Sequence, residues 1–444
     1  LEARRELETL LAQTTSATEQ KTGRFLLAEA LEALGDSEEA LNLYHLFAEE
    51  ASPAAPYARL ARARLLASLG RSQEAADEAT LALSARLPPT VTARALLDIA
   101  RAFENAGAVD DAIPWYQRLF DETQSSADQA LARWRIGALS RLRGDPNWAD
   151  HHLAVVRNYP SAPAALHALA DLRDASIAVD DYLAGLVYYR HFDNRQAQEA
   201  FQSYLEQDPP GPYDAQAAYY LAAVHERRGD EEAALDAYAD SLRRDPHGPL
   251  ADDAAWWRAR LLEDLDRYDS AIEAHRALPR QYPNSPWAAE APFRGGLLLY
   301  KQKRYDEAIS AFQTARALAA GPDDADRARL WLAKAHRAAG HPGQALTLLN
   351  ELASESGGYF SLRASALLGQ PTPSPTPNEV DLRQVPPIDW AAIDVWAASW
   401  LPSLPSSPPQ AFLSDSRWAR ANELLELQLP DEASQEFESL LEAY

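Results

Sequence analysis

The feature that most constrains this chain is a pair of positions. A small residue is followed twelve residues later by alanine, and the pair occurs ten times. The pairs are Ala28/Ala40, Ala63/Ala75, Ala100/Ala112, Gly137/Ala149, Gly185/Ala197, Ala222/Ala234, Ala259/Ala271, Gly296/Ala308, Ala333/Ala345 and Ala421/Ala433. From Gly185 to Ala345 five consecutive pairs keep a step of 37 residues. A period of this length belongs to solenoids of helix pairs, in which each unit buries its apolar face by stacking on its neighbours. The expected fold class is all-α: an α-superhelix, or solenoid, of antiparallel helix pairs bent into an arc or partial ring. It should be more than about 60% helix, with roughly 20 to 24 helices, because Ala-, Leu- and Glu-rich stretches run between Pro and Gly stops.

Residues 251–283 show how one unit is written. Ala255, Ala259, Leu262 and Leu265 keep a helical rhythm, a polar turn follows at 266–269, and Ala271, Ile272, Ala274 and Leu278 carry a second helix to Tyr282-Pro283. Ser285 is placed to cap the next helix, with Pro286 in its first turn, where a missing N–H costs nothing. Two antiparallel helices approach most closely where side chains are small, so each small residue is expected against its alanine. Bulky residues flank that contact: Tyr44, Tyr116, Phe201, Tyr238 and Phe312 lie four after the alanine, and Leu31, Leu66, Phe103, Tyr188, Leu262 and Leu299 three after the small member. Pro209, Pro246 and Pro283 close their units. This pattern resembles the tetratricopeptide repeat over residues 20–360, in a variant lengthened from the usual period of about 34.

The period breaks twice. Eleven extra residues between Ala149 and Ala197 fit a short additional helix over 163–173. After Ala345 the chain runs through Pro-rich 371–377 and 402–409, with Trp390, Trp396 and Trp400 between them. Three Trp carry more apolar area than a free linker usually does, which favours a strap over the solenoid. The expected organisation is a repeat domain over 1–369, a Pro-rich and Trp-containing strap over 370–410, and a terminal helix pair over 411–444.

Lys and Arg number 42 against 66 Asp and Glu, a formal charge of −24. Such a surface repels nucleic acid and anionic lipid at long range, and no nucleic-acid partner is expected. Without Cys there are no disulfides, thiolate metal sites or thiol nucleophiles, which suits an oxidising, extracytoplasmic setting. The sequence contains no Met, even at position 1, so a removed leader or an excised fragment is expected. No apolar run reaches the length of a membrane span.

Candidate sites read mostly as architecture. His151 and His152 are adjacent and point apart on a helix. His225, His275 and His336 fall at apolar repeat positions. Asp323-Asp324 lack the alternating oxygen ligands of a calcium loop. Acidic pairs such as Glu38-Glu39, Asp110-Asp111 and Glu231-Glu232 open second helices, where they favour the helix dipole. Trp256-Trp257 could stack on a sugar or peptide, although at least one should be core. No catalytic, cofactor-binding or metal-binding residue is assigned, and no cofactor is expected.

A more specific resemblance lies toward the C-terminus. Arg327 to Ala335, Gly340, Ala345-Leu346, Gly358-Tyr359-Phe360 with Ala364, and Leu367-Leu368-Gly369 are similar to the soluble lytic murein transglycosylases. Arg420 to Leu425, Asp431-Glu432-Ala433 and Glu436 to Leu440 resemble the last helices before that family's lysozyme-like domain. The resemblance implies the non-catalytic superhelical region of a peptidoglycan-cleaving enzyme in a bacterial periplasm or cell envelope, with its own C-terminal catalytic domain and glycan strands or cell-wall proteins as partners. The family's catalytic Glu lies in a Glu-Ser motif with a downstream Gly-Leu-Met-Gln. Glu355-Ser356 lacks that second segment and is not assigned. The competing reading is a tetratricopeptide-type protein–protein interaction module unconnected to an enzyme. An enzyme in its own right is the third.

Overall fold

The computed structural model describes residues 2–50, 52–207, 209–354, 358–370 and 410–443. The expectations for 371–409, including the Trp390–Trp400 strap, and for Glu355-Ser356 lie outside them. Among the described residues every regular element is a helix, 24 in all. By contact the chain divides into two units, Leu1–Val179 with Pro386–Tyr444, and Asp180–Val385.

The first unit opens with α1 (Glu2–Gln13). Four helix pairs follow: α2 (Ala17–Leu34) with α3 (Ser37–Glu49), α4 (Ala55–Ser68) with α5 (Ser72–Leu83), α6 (Pro89–Asn105) with α7 (Val109–Glu122), and α8 (Ser126–Leu142) with α9 (Trp148–Asn158). The inserted helix is α10 (Pro163–Asp174). Its Asp171 ties it back to the stack, accepting from the Trp134 indole N–H at 2.8 Å and pairing with His152 at 2.9 Å.

The second unit has five pairs: α11 (Asp181–Arg190) with α12 (Asn194–Leu205), α13 (Asp214–Arg228) with α14 (Glu231–Arg244), α15 (Ala251–Asp264) with α16 (Tyr268–Gln281), α17 (Glu290–Lys301) with α18 (Tyr305–Leu318), and α19 (Pro322–Ala338) with α20 (Pro342–Ser354). α21 (Tyr359–Leu367) packs on the last of these. The terminal α22 (Gln410–Leu413), α23 (Ser416–Glu426) and α24 (Pro430–Ala443) belong to the first unit. All ten small/alanine pairs fall on the first and second helix of a pair.

One turn joins the two helices in every pair. Seven residues after the small member the backbone is left-handed, with Gly at 35, 70, 107, 144, 229 and 340. Phe192, Asp266, Lys303 and Gln428 take the same conformation with φ of 57–64°. The next N–H then reaches back to the carbonyl five residues earlier, as from Asp36 to Leu31 at 2.9 Å, Asp193 to Tyr188 at 3.0 Å and Leu429 to Leu424 at 2.9 Å. This closure satisfies carbonyls that a helix end would leave orphaned.

Two expectations need correction. At Gly185 and Gly296 the side chain nearest the small residue is not its alanine but the ring four positions beyond that alanine. A Cβ on Gly185 would lie 2.6 Å from the Phe201 ring, and one on Gly296 2.7 Å from the Phe312 ring. A flat ring fills the space between two helices better than an alanine methyl can, and both rings are fully buried. The helix after Pro283 begins at Glu290 rather than at Pro286. Ser285 Oγ accepts the Trp287 N–H at 3.1 Å in a turn, and Trp287 is held there by donating its indole N–H to Asp253 at 2.7 Å.

Candidate functional site

The first helices of the first three pairs present one face together. α2 contributes Phe25 and Glu29, α4 Tyr57 and Arg64, and α6 Arg94 and Asp98, and these border a cavity of about 510 Å³. The terminal helix α24 forms another wall through Glu432 and Gln435, with Leu429 just before it. The floor is aromatic and aliphatic because buried positions three and four apart on each helix point inward. The rim carries charge.

Within that rim the groups differ in how well they are satisfied. Glu32 accepts the Tyr44 hydroxyl at 3.0 Å and Arg64 at 2.6 Å. Arg94 reaches Glu432 only at 3.8 Å, and its side chain is largely exposed. Burial raises the carboxyl pKa of Glu29 above its ordinary value, with Glu32 and Glu432 adding to the effect and Arg64 opposing it. The Tyr44 and Tyr57 hydroxyls are pushed well up by burial first and by their glutamate neighbours second, so both remain neutral donors. Among the described residues no Ser, Thr, His or Lys side chain lines the cavity. The arrangement can hold an extended or helical segment, with apolar contacts below and hydrogen bonds at the edge.

Two carboxylates, one on each helix, fix the C-terminal pair. Glu423 on α23 accepts the Ala54 N–H at 2.6 Å and the Ser52 hydroxyl at 2.8 Å, and it pairs with Lys21. It therefore occupies the N-terminus of α4, where backbone donors and the helix dipole favour an anion. Glu436 on α24 accepts the Tyr57 hydroxyl at 2.8 Å and two bonds from Arg420, at 2.5 and 2.7 Å. Arg420 donates also to the Ala85 carbonyl at 3.3 Å.

The sequence candidates take structural places. His152 and His275 are fully buried, each paired with a carboxylate, Asp171 and Glu263. Burial lowers the His152 pKa despite Asp171. No cluster of three or more metal-ligating side chains occurs among the described residues. Asp323 and Asp324 sit in the first turn of α19. The acidic pairs open α3, α7 and α14. Trp256 is buried and stacks on Trp287 with ring centroids 4.6 Å apart, which leaves Trp257 partly exposed. Sequence reasoning missed Glu29, Glu423 and Glu436. They stand among 66 acidic residues, and their partners lie hundreds of positions away or on another helix, so no local spacing marks them.

Comparison with known proteins agrees with the helix-pair reading. Two models of the tetratricopeptide repeat match, one over residues 25–89, 82–127, 182–249 and 242–286 and the other over 299–367. No curated protein matches the chain. Among solved structures, MamA is 19% identical over 43% of this chain and 98% of its own, with a TM-score of 0.33. A tetratricopeptide repeat protein from Parabacteroides merdae is 18% identical over 59% of this chain and 91% of its own, with a TM-score of 0.34. BtubC from P. vanneervenii is 15% identical over 51% and 94%, also at 0.33. None of these superpositions is close enough to transfer a site.

Proposed function

We propose that this chain, which belongs to the tetratricopeptide-repeat proteins, is a protein-interaction scaffold whose α2–α4–α6 groove receives a segment of a partner protein. The observation that carries the reading is the groove itself: an apolar floor, a rim of carboxylates and arginines, and no nucleophile beside a base. Such a surface gives affinity through burial and register through hydrogen bonds. The test is a photo-reactive amino acid placed at Glu29, with Leu142 on the exposed side of α8 as control. A partner cross-linked from Glu29 and not from Leu142 supports the groove. Equal labelling from both positions, or from Leu142 alone, overturns it.

A second reading rests on the pattern in residues 327–369 and 420–440. It makes the repeats the scaffold of an envelope-located lytic transglycosylase, with glycan strands or wall proteins as partners and cleavage supplied by another domain. The match to tetratricopeptide repeats supports the first reading better than this one, because it speaks for a protein-interaction module and not for a linked enzyme. Specific pull-down of purified peptidoglycan by the chain at physiological salt, or its cross-linking to a wall enzyme from Glu29, would favour it.

A further inference from the structure

The surface that holds the C-terminal pair is built of donors. Lys21, the Ser52 hydroxyl, the Ala54 N–H and the Tyr57 hydroxyl face Glu423 and Glu436, and Arg94 faces Glu432. Thr90 donates its hydroxyl to Gln435 at 2.8 Å. Beside this polar set, the pair adds Leu424, Leu427 and Ala433 as buried members of the N-terminal core, with Leu429 and Phe437 half-buried against it. α23 and α24 meanwhile satisfy each other, through the Arg420–Glu436 ion pair and through Arg417, which donates to the Ser439 carbonyl at 2.6 Å. A unit that is internally satisfied can exchange the hydrogen bonds that attach it for bonds to water on release, and a competing helix with leucines in the same places replaces its apolar contacts. Interfaces of this polar kind within one chain resemble transient ones.

The geometry points to the α2–α4–α6 surface as an exchangeable docking site for an acidic amphipathic helix of a partner protein, with the chain's own α23–α24 pair as its resident occupant. The charge pattern selects the partner. It must place a carboxylate on Lys21 and the α4 N-terminus and leucines one and four residues later, as Glu423, Leu424 and Leu427 do. A second carboxylate must reach Tyr57, as Glu436 does. A basic or purely apolar helix would leave the Ala54 N–H and Lys21 without an acceptor. The partner therefore competes with the C-terminal pair, and binding is limited by its release. This inference rests on the interaction reading above and adds the chemistry of the partner and the element it displaces.

The test uses the full chain and a fluorescent peptide of residues 410–443. Glu423→Lys in the chain sets a cation against Lys21 and frees the site. The peptide, which keeps Glu423, should bind this variant at least ten-fold more tightly than it binds the unaltered chain. Lys21→Glu damages the site itself and should abolish peptide binding, while a peptide carrying Glu423→Lys should restore it. If Glu423→Lys loses helicity, Glu423→Gln removes only the charge that faces Lys21 and should give the same order with a smaller gain. Equal binding to the unaltered chain and to both variants overturns the proposal, as does no binding to any of them with helicity intact. Loss of folded structure in all variants overturns it too, since the pair would then be a fixed part of the core. A failed peptide assay beside a positive Glu29 cross-link removes this inference and leaves the groove standing. A bound peptide without a Glu29 cross-link does the reverse.

Discussion

The carboxylate of Glu263 accepts two hydrogen bonds from the Arg294 guanidinium of the following repeat, at 2.9 and 2.7 Å. It also pairs with the buried His275 of its own repeat at 2.6 Å. The arrangement recurs with tyrosine in place of histidine. Glu104 accepts the Tyr116 hydroxyl at 2.7 Å and Arg135 at 3.0 Å, and Glu32 serves Tyr44 and Arg64 in the same way. One acid, four residues after the small member, thus joins the two helices of its repeat and reaches the next.

Glu263→Ala should destabilise the second unit by about 3 kcal/mol, because it leaves a buried histidine and an arginine without their shared acceptor. Urea unfolding measures this. Glu199→Ala breaks the exposed ion pair with Arg195 and should change stability by less than about 0.5 kcal/mol.

Gly296→Ala should cost roughly 1–3 kcal/mol, since the new methyl group meets the buried Phe312 ring at 2.7 Å. Lys301→Ala, at an exposed position on the same helix, should stay within about 0.5 kcal/mol. Equal melting temperatures would place the ring elsewhere.

Lys303→Gly should stabilise by up to about 1 kcal/mol. Lys303 holds a left-handed φ of 64°, a conformation that disfavours a side chain by roughly 1–2 kcal/mol, offset in part by the greater freedom of glycine in the unfolded chain. The converse change, Gly35→Ala at φ 83°, should destabilise. Thermal melts of both variants check the sign.

Acid titration should show two slopes of opposite origin. His152 has a folded pKa lowered from 6.5 by burial, so the unfolded chain binds its proton first. Its contribution is present above 6.5 and is lost as pH falls from there toward the folded value. Glu29 has a pKa raised from 4.5, so the folded chain keeps its proton longer and stability falls as pH rises through that window. Glu29→Gln should therefore gain stability relative to the unaltered chain as pH rises from 4.5 toward the raised folded value. A constant difference across that range would contradict it.

Purified residues 1–444 should release no anhydro-muropeptides from cell-wall sacculi, because no carboxylate of the sequence sits in a recognisable general-acid motif. Product above the blank, measured by chromatography, would return attention to Glu355.

The repeat was legible because its signal is periodic. Ala28/Ala40 and its nine counterparts mark the helix pairs, and the eleven surplus residues correspond to α10. The joining turn at 266–269 was legible from its polar residues, but its left-handed backbone was not. Phe192, Asp266, Lys303 and Gln428 adopt the same backbone because the packed helices impose it, and their side chains carry no trace of that. The Glu32, Glu104 and Glu263 clamps were hidden among acids of the same type. The docking of Glu423 on Ala54 spans 369 residues, a separation at which pattern reading has nothing to count.

The clamp formed by Glu263 has a further consequence for how such a chain can grow. Its acceptor belongs to one repeat and the arginine to the next, so each module carries one half of its joint toward either neighbour. From Gly185 to Ala345 the step is 37 residues throughout. A duplication or deletion of that length, cut at equivalent turns, keeps helix register and small-residue spacing in frame. Where the flanking modules carry both Glu and Arg, it rejoins the clamp as well. Gene-level length variation should therefore be tolerated in whole modules within this unit. In the first unit the contacts of Glu423 and Glu436 single out α4 among its neighbours, so the same event there would present the terminal pair with the wrong repeat.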